Sequence, residues 1–134
     1  MFIARIQENI KSRESFSFES TLSGKSYFSL VENLKRDGWI IKIYYLWIQD
    51  PKLSILRISE RVASGGHFIP DDVVIRRYKR STFNFMNYYV KVANKSYCFD
   101  NTFNKTDLIF IDEDGILEIH NQEKYKLMIE SSLL

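Results

Sequence analysis

Apolar positions recur at two different periods along this chain, and the switches between them mark out its elements. Phe2, Ile3, Ile6 and Ile10 fall at helical spacing, which predicts an amphipathic helix ending near Ser12. Over residues 15–19, Phe16 and Phe18 alternate with polar neighbours, the period of a short strand. The turn-forming run Ser20, Thr21, Leu22, Ser23 and Gly24 leads into a helix predicted over 25–36. Phe28, Leu30, Val31 and Leu34 give that helix its buried face, and Gly38 stands where a C-terminal cap belongs. Residues 39–48, WIIKIYYLWI, are apolar apart from Lys42. Such a run predicts a strand covered on both faces, as in parallel sheets.

Asp50 and Pro51 then fit the N-cap and first position of another helix. A further helix is predicted over 70–94, and the stripe of Phe83, Phe85, Met86, Tyr88, Tyr89 and Val92 in its later half reads as packing. A short strand over 96–99 ends at Asp100 and Asn101. Strands over 108–111 and 116–119 flank Asp112, Glu113, Asp114 and Gly115, a four-residue hairpin loop with the Asp-Gly signal. A helix over 124–133 closes the chain. Strands alternating with helices predict an α/β domain with a mainly parallel sheet flanked by helices, followed by a C-terminal β-hairpin and helix. The expectation is a single domain over 1–134.

Composition narrows the function classes only modestly. The 134 residues are 45% hydrophobic and 27% charged, ordinary values for a globular protein, and the length allows a real core. A net charge of +2 does not by itself imply nucleic acid or a membrane surface. The lone Cys98 has no internal disulfide partner and sits in an apolar strand pattern, so it reads as a buried structural thiol. No apolar run reaches the roughly 18 residues of a membrane span, and Arg5, Gln7 and Glu8 interrupt any signal-peptide core. The expected location is cytoplasmic.

Candidate chemistry concentrates in residues 56–81, LRISERVASGGHFIPDDVVIRRYKRS. Arg57 and Arg61 are four apart, as are Arg76 and Arg80, and Arg77 lies three before Arg80, so they share helical faces. Gly65 and Gly66 allow a break about which the two helices can turn toward each other. Five guanidiniums, each a planar fork matched to phosphate oxygens, would then line one cleft as a polyphosphate clamp. The other reading is a solvated basic face, with Glu60, Asp71 and Asp72 as ion-pair partners.

In open α/β sheets ligands bind beyond the carboxyl ends of the strands. The groups predicted there are Glu19, Ser20 and Thr21, then Gln49 and Asp50, then Asp100 and Asn101, the last two as the candidates for holding a cofactor. Glu19 can accept hydrogen bonds from a bound hydroxyl, or can cap a helix or pair with an arginine. Ser20 and Thr21 can hold a ligand or only shape the turn. Lys25 stands within reach of a phosphate at the next helix start, and His67 follows the glycines as a loop residue. His120 lies far off in the hairpin region and supports no metal site with it.

The pattern SFSFESTLSGKSY, then GWIIKIYYLWI, then RISERVASGGHFIPDDVVIRRYKR resembles the zeta-toxin family of P-loop kinases, over roughly residues 2–101. Members of that family use ATP to phosphorylate a hydroxyl of a small molecule, UDP-N-acetylglucosamine among them. The resemblance implies a P-loop kinase-like fold, ATP with Mg²⁺ as cofactors, a small-molecule phosphoryl acceptor, and as protein partner either the missing N-terminal half or an antitoxin-like protein. It also implies that Glu19 and Thr21 hold the acceptor and that Arg57, Arg61, Arg76, Arg77 and Arg80 form a lid gripping the phosphates. The departure is equally specific. The family's G-x-x-x-x-G-K-S/T loop and its early substrate-deprotonating Asp are not found, and the glycines at 24, 38, 65, 66 and 115 nowhere make that spacing. The expectation is therefore the C-terminal part of such a kinase, inactive alone, with a missing central strand that leaves neighbouring strand edges unpaired. The rival expectation is a non-catalytic binding module whose basic helices hold nucleic acid or a protein partner.

Overall fold

A computed structural model describes residues 2–103 and 105–133, with side chains described from Arg5 onward. The Phe2 and Ile3 part of the first apolar stripe therefore lies outside the described side chains. The first helix, α1, is Phe2–Ser12, and Ile6 is buried as its spacing requires. Helix α2, Ser26–Arg36, ends as Gly38 predicts. Gly38 takes φ 89°, its N–H donates to the Lys35 carbonyl at 3.1 Å, and Trp39 N–H donates to the Leu34 carbonyl at 3.0 Å. Those two bonds are a Schellman cap, which satisfies carbonyls the helix end leaves orphaned.

Strand β1 is Lys42–Trp47 and helix α3 is Pro51–Ala63, with the Asp50 carboxylate accepting from Lys52 N–H at 2.9 Å as its N-cap. Helix α4, Asp71–Asn84, passes through a π-helical turn, Phe85–Tyr89, into the short α5, Val90–Val92. Strands β2, β3 and β4 are Lys95–Asp100, Asp107–Glu113 and Ile116–Ile119, and α6, Gln122–Ser131, follows.

The chain is thus α/β, but the sheet is mixed, which corrects the mainly parallel expectation. Its order is β1-β2-β3-β4; only β1 and β2 run parallel, and both later pairings are antiparallel. Residues 15–19 are not a strand. Their alternating aromatics pack elsewhere: Phe16 meets Trp39 edge-on at 5.6 Å, and Phe18 lies 5.1 Å from Tyr27 of α2. A period of two describes that packing as well as it describes a strand. The hairpin loop is two residues shorter at its start than expected, because β3 continues to Glu113. Asp114 and Gly115 turn alone, at φ 52° and 85°, the left-handed pair a type I′ turn demands.

The run 39–48 does not become a strand covered on both faces. β1 sits at the sheet edge, and its residues alternate between exposed and half-buried up to Trp47. Tyr44 and Leu46 stay exposed, Tyr44 stacking on Tyr97 of β2 with centroids 4.8 Å apart. Ile43, Tyr45 and Trp47 face the helices. There Phe85 stacks on Tyr45 at 4.2 Å, and the core gathers Val31, Tyr89, Cys98, Ile109, Phe110 and Met128. Burying each large apolar side chain there contributes about 1.5–3 kcal/mol. Cys98 is the buried structural thiol expected, and burial pushes its pKa far up. No helix among the described residues is long and apolar enough to cross a membrane.

Candidate functional site

An open groove of about 1660 Å³ runs between the segment 15–22, strand β1 and helices α3 and α4. Helical spacing decides which residues reach it. From α3 come Ser54, Arg57, Ile58 and Arg61; from α4 come Val74, Arg77, Tyr78 and Ser81. Each set follows the i, i+3, i+4, i+7 rule of a single helix face. The same rule turns Arg76 and Arg80 away, and neither lines the groove. Three of the five arginines expected in one cleft are therefore brought together, with Glu19, Ser20, Thr21 and His67 on the same groove.

The loop carrying Glu19 is held by α4. Ser81 donates to the Thr21 carbonyl, and Asn84 Nδ2 donates to the Leu22 carbonyl at 2.7 Å. Within the loop, the Thr21 and Ser23 hydroxyls share a hydrogen bond of 2.8 Å and Ser20 accepts from Leu22 N–H. Ser20 and Thr21 thus shape the turn while lining the groove. Glu19 is exposed, caps no helix and makes no hydrogen bond or ion pair among the described residues.

The arginines differ in their commitments. Arg57 is half-buried, and its Nη2 donates to the carbonyls of Asn101 and Thr102 at 2.8 and 3.2 Å. That ties α3 to the loop after β2. Arg61 and Arg77 have no hydrogen-bond or ion-pair partner among the described residues, and none of Glu60, Asp71 and Asp72 pairs with an arginine. Asp71 and Asp72 sit in the first turn of α4, where the helix dipole favours carboxylates.

The break expected at Gly65 and Gly66 is present, and it is built as a second Schellman cap. Gly65, at φ 97°, donates to the Val62 carbonyl at 3.0 Å, and Gly66 donates to the Arg61 carbonyl at 2.7 Å. A Cβ on Gly66 would stand 2.9 Å from that carbonyl oxygen. The glycines are committed to ending α3, which fixes the angle at which Arg61 meets α4. Beyond them Phe68 and Ile69 close an apolar pocket of about 260 Å³ between α3 and α4 with Ile55, Ile58, Val62 and Val74.

Two predicted cofactor ligands prove to have other partners. Asp100 is buried, and its carboxylate receives Lys124 Nζ at 2.9 Å, Gln49 Nε2 at 2.8 Å and Thr102 N–H at 2.9 Å. Burial alone would raise its pKa, but the bonds from Thr102, Lys124 and Gln49 outweigh it and leave the group lowered to about 2. Asp100 is a lock between sheet and α6, and the Asn101 carbonyl serves Arg57; neither residue lines the groove. Lys25 is also displaced: its ammonium lies 4.8 Å above the Tyr88 ring.

Sequence reasoning missed a set of hydroxyls on the groove wall. Tyr45 shares a hydrogen bond of 2.8 Å with Ser81, and Tyr78 donates to the Ile48 carbonyl. Burial pushes Tyr45 up to about 12, against the lowering effect of the Ser81 and Thr82 bonds, and raises Tyr78 further. Both phenols are neutral donors across the physiological range. Four buried side-chain polar atoms have no hydrogen-bond partner among the described residues: Tyr89 Oη and Trp39 Nε1, on residues that line the groove, and Trp47 Nε1 and Ser96 Oγ, on residues that do not. The face spacing 74, 77, 78, 81 was the available signal, hidden because the aromatic residues also read as core.

Comparison with known proteins adds one relative. The chain is 41% identical over 69 residues to an uncharacterized protein of Haemophilus influenzae, a match spanning 52% of this chain and 49% of that protein. The chain therefore spans about half the length of the curated relative it matches. No family model and no solved structure matches it.

Proposed function

We propose that this groove is the acceptor-binding half of a zeta-toxin-like phosphotransferase, taking a small molecule that carries both a hydroxyl and phosphates. The observation that carries the reading is one groove holding Arg61 and Arg77 from α3 and α4 together with Glu19, all three without an ion-pair partner among the described residues. A guanidinium without a protein carboxylate is a ready fork for phosphate oxygens. Glu19 accepts hydrogen bonds from the acceptor's hydroxyl groups, and Arg57 stiffens the α3 wall through its bonds to the Asn101 and Thr102 carbonyls. A nucleotide sugar such as UDP-N-acetylglucosamine meets these demands with a diphosphate for the arginines and sugar hydroxyls for Glu19.

The chain's own residues do not fit ATP with Mg²⁺. Asp100 is locked to Lys124, no cluster of metal-ligating acids occurs among the described residues, and no glycine loop cradles phosphates. We therefore derive no phosphoryl-transfer step through this chain alone and expect it to show no ATP-dependent turnover of nucleotide sugars. The test is calorimetric titration with UDP-N-acetylglucosamine and with inorganic tripolyphosphate. Binding weakened tenfold or more in the Arg61→Ala/Arg77→Ala variant supports the reading, while equal binding by that variant, or none by the wild type, rejects it.

A further inference from the structure

The groove has a second property, independent of the anion reading. Lys42, Ile43, Tyr44, Tyr45 and Leu46 all line it, although consecutive strand residues point to opposite faces of a sheet. Side chains of both faces reach one groove only where it runs along the strand's edge. β1 is the edge strand, paired on one side to β2. The Ile41 and Trp47 carbonyls accept from Lys95 and Asn101 N–H, so odd-numbered residues turn their backbone groups inward. By alternation Lys42, Tyr44 and Leu46 turn N–H and C=O into the groove. Unpaired edge groups of this kind are a template for another strand.

The surroundings fit a peptide better than water. Ile40, Tyr44 and Leu46 are 72%, 63% and 55% exposed beside that edge, and Phe16 and Phe18 stand on the opposite wall. Charge selects the occupant. The described groove lining holds Lys42, Arg57, Arg61 and Arg77 against the single carboxylate of Glu19. Both arginine-bearing helices meet the C-terminal end of β1: Arg57 of α3 binds the Asn101 carbonyl beside Trp47, and Tyr78, the neighbour of Arg77 on α4, donates to the Ile48 carbonyl.

We propose that the edge of β1 binds an extended segment of a partner protein by strand addition, a segment of alternating apolar residues with an acidic cluster at the end nearest Arg61 and Arg77. Main-chain hydrogen bonds supply affinity in this mode, and side-chain pockets and charge supply selectivity.

The probe is a fluorescein-labelled peptide of alternating valine and threonine ending in three glutamates, with a control ending in three lysines. The glutamate peptide is expected to bind at least tenfold tighter than the control and to slow amide exchange at Lys42, Tyr44 and Leu46. Leu46→Pro deletes an outward N–H while sparing the bonds to β2, a substitution that edge strands tolerate. It is expected to keep the wild-type melting temperature and lose peptide binding tenfold or more, yet bind tripolyphosphate as before. That last arm separates failure here from failure of the anion reading. Should Leu46→Pro not fold, the exchange measurement on the wild type decides. No peptide binding, unchanged exchange at the three amides, or full binding by a folded Leu46→Pro variant overturns the proposal. So does concentration-dependent self-association that protects the same amides, which would make the occupant a second copy of the chain.

Discussion

The two sides of the sheet's parallel pair are built to different rules. On the β2 side the buried charge is paired: Asp100 is held by Lys124, Gln49 and Thr102, and Cys98, Ile109, Phe110 and Met128 are fully buried. On the β1 side Arg61, Arg77 and Glu19 have no ion-pair partner among the described residues, and Tyr44 and Leu46 face outward. Orphaned buried polar atoms do not separate the two sides, since they include Ser96 Oγ of β2 and Trp47 Nε1 as well as those of Tyr89 and Trp39. One side pairs its charges and the other leaves them open. A buried charge becomes costly once its partner is lost, whereas unpaired groups on a concave surface are what recognition uses.

The contrast breaks most visibly on substituting one cation from each side. Lys124→Met leaves the Asp100 carboxylate buried without its counter-charge and is expected to cost about 3–5 kcal/mol in urea denaturation. Arg77→Ala, exposed and unpaired, is expected to stay within about 0.5 kcal/mol of the wild type. Similar losses for both would erase the distinction.

Acid titration sharpens the same point. The Asp100 pKa is lowered to about 2 from the ordinary carboxyl value of 3.8, so the folded state favours the ionised form. A depressed carboxyl contributes stability that is complete above the unfolded pKa and is lost as pH falls through the folded one. Roughly 2 kcal/mol should therefore disappear between about pH 4 and pH 2. Asp100→Asn should remove that slope, and Glu19→Gln should leave it intact. A slope that persists in Asp100→Asn assigns it to another carboxyl.

The sequence showed the closed side more clearly than the open one, for reasons visible in single residues. Gly38 and Asp50 are local caps, and the structure places each where its neighbours demanded. Asp114 and Gly115 announce their turn because few pairs tolerate left-handed backbone. The strand run 39–48 misled because Tyr and Trp serve an exposed aromatic stack as readily as a buried layer, and Tyr44 on Tyr97 is such a stack. Phe16 and Phe18 misled because alternation does not say whether a partner strand exists. At the groove, chain spacing identified Arg57 with Arg61 but could not say which of Arg76, Arg77 and Arg80 faces inward. That depends on where Val74 packs.

Smaller effects probe how the groove is framed. Gly65→Ala places a side chain at φ 97°, at a cost of about 1–2 kcal/mol, whereas Gly24→Ala meets open space and ordinary backbone and should be nearly neutral. Equal melting temperatures for the two variants would contradict the cap at the end of α3. Ser81→Ala removes a donor to the Thr21 carbonyl and a partner of Tyr45, worth about 1 kcal/mol. It should also loosen the loop that carries Glu19, seen as faster amide exchange over residues 20–24; unchanged exchange there would detach the loop from α4.

The most direct measurement is hydrogen exchange across the whole chain, with and without inorganic tripolyphosphate. Slowed exchange is expected in residues 57–81, where Arg61 and Arg77 would gain their missing partners, and no change in β2, β3 and α6, where Asp100 and Lys124 are already paired. A response spread evenly over both sides, or none at 57–81, would contradict the account of an open-charged recognition groove beside a charge-paired core.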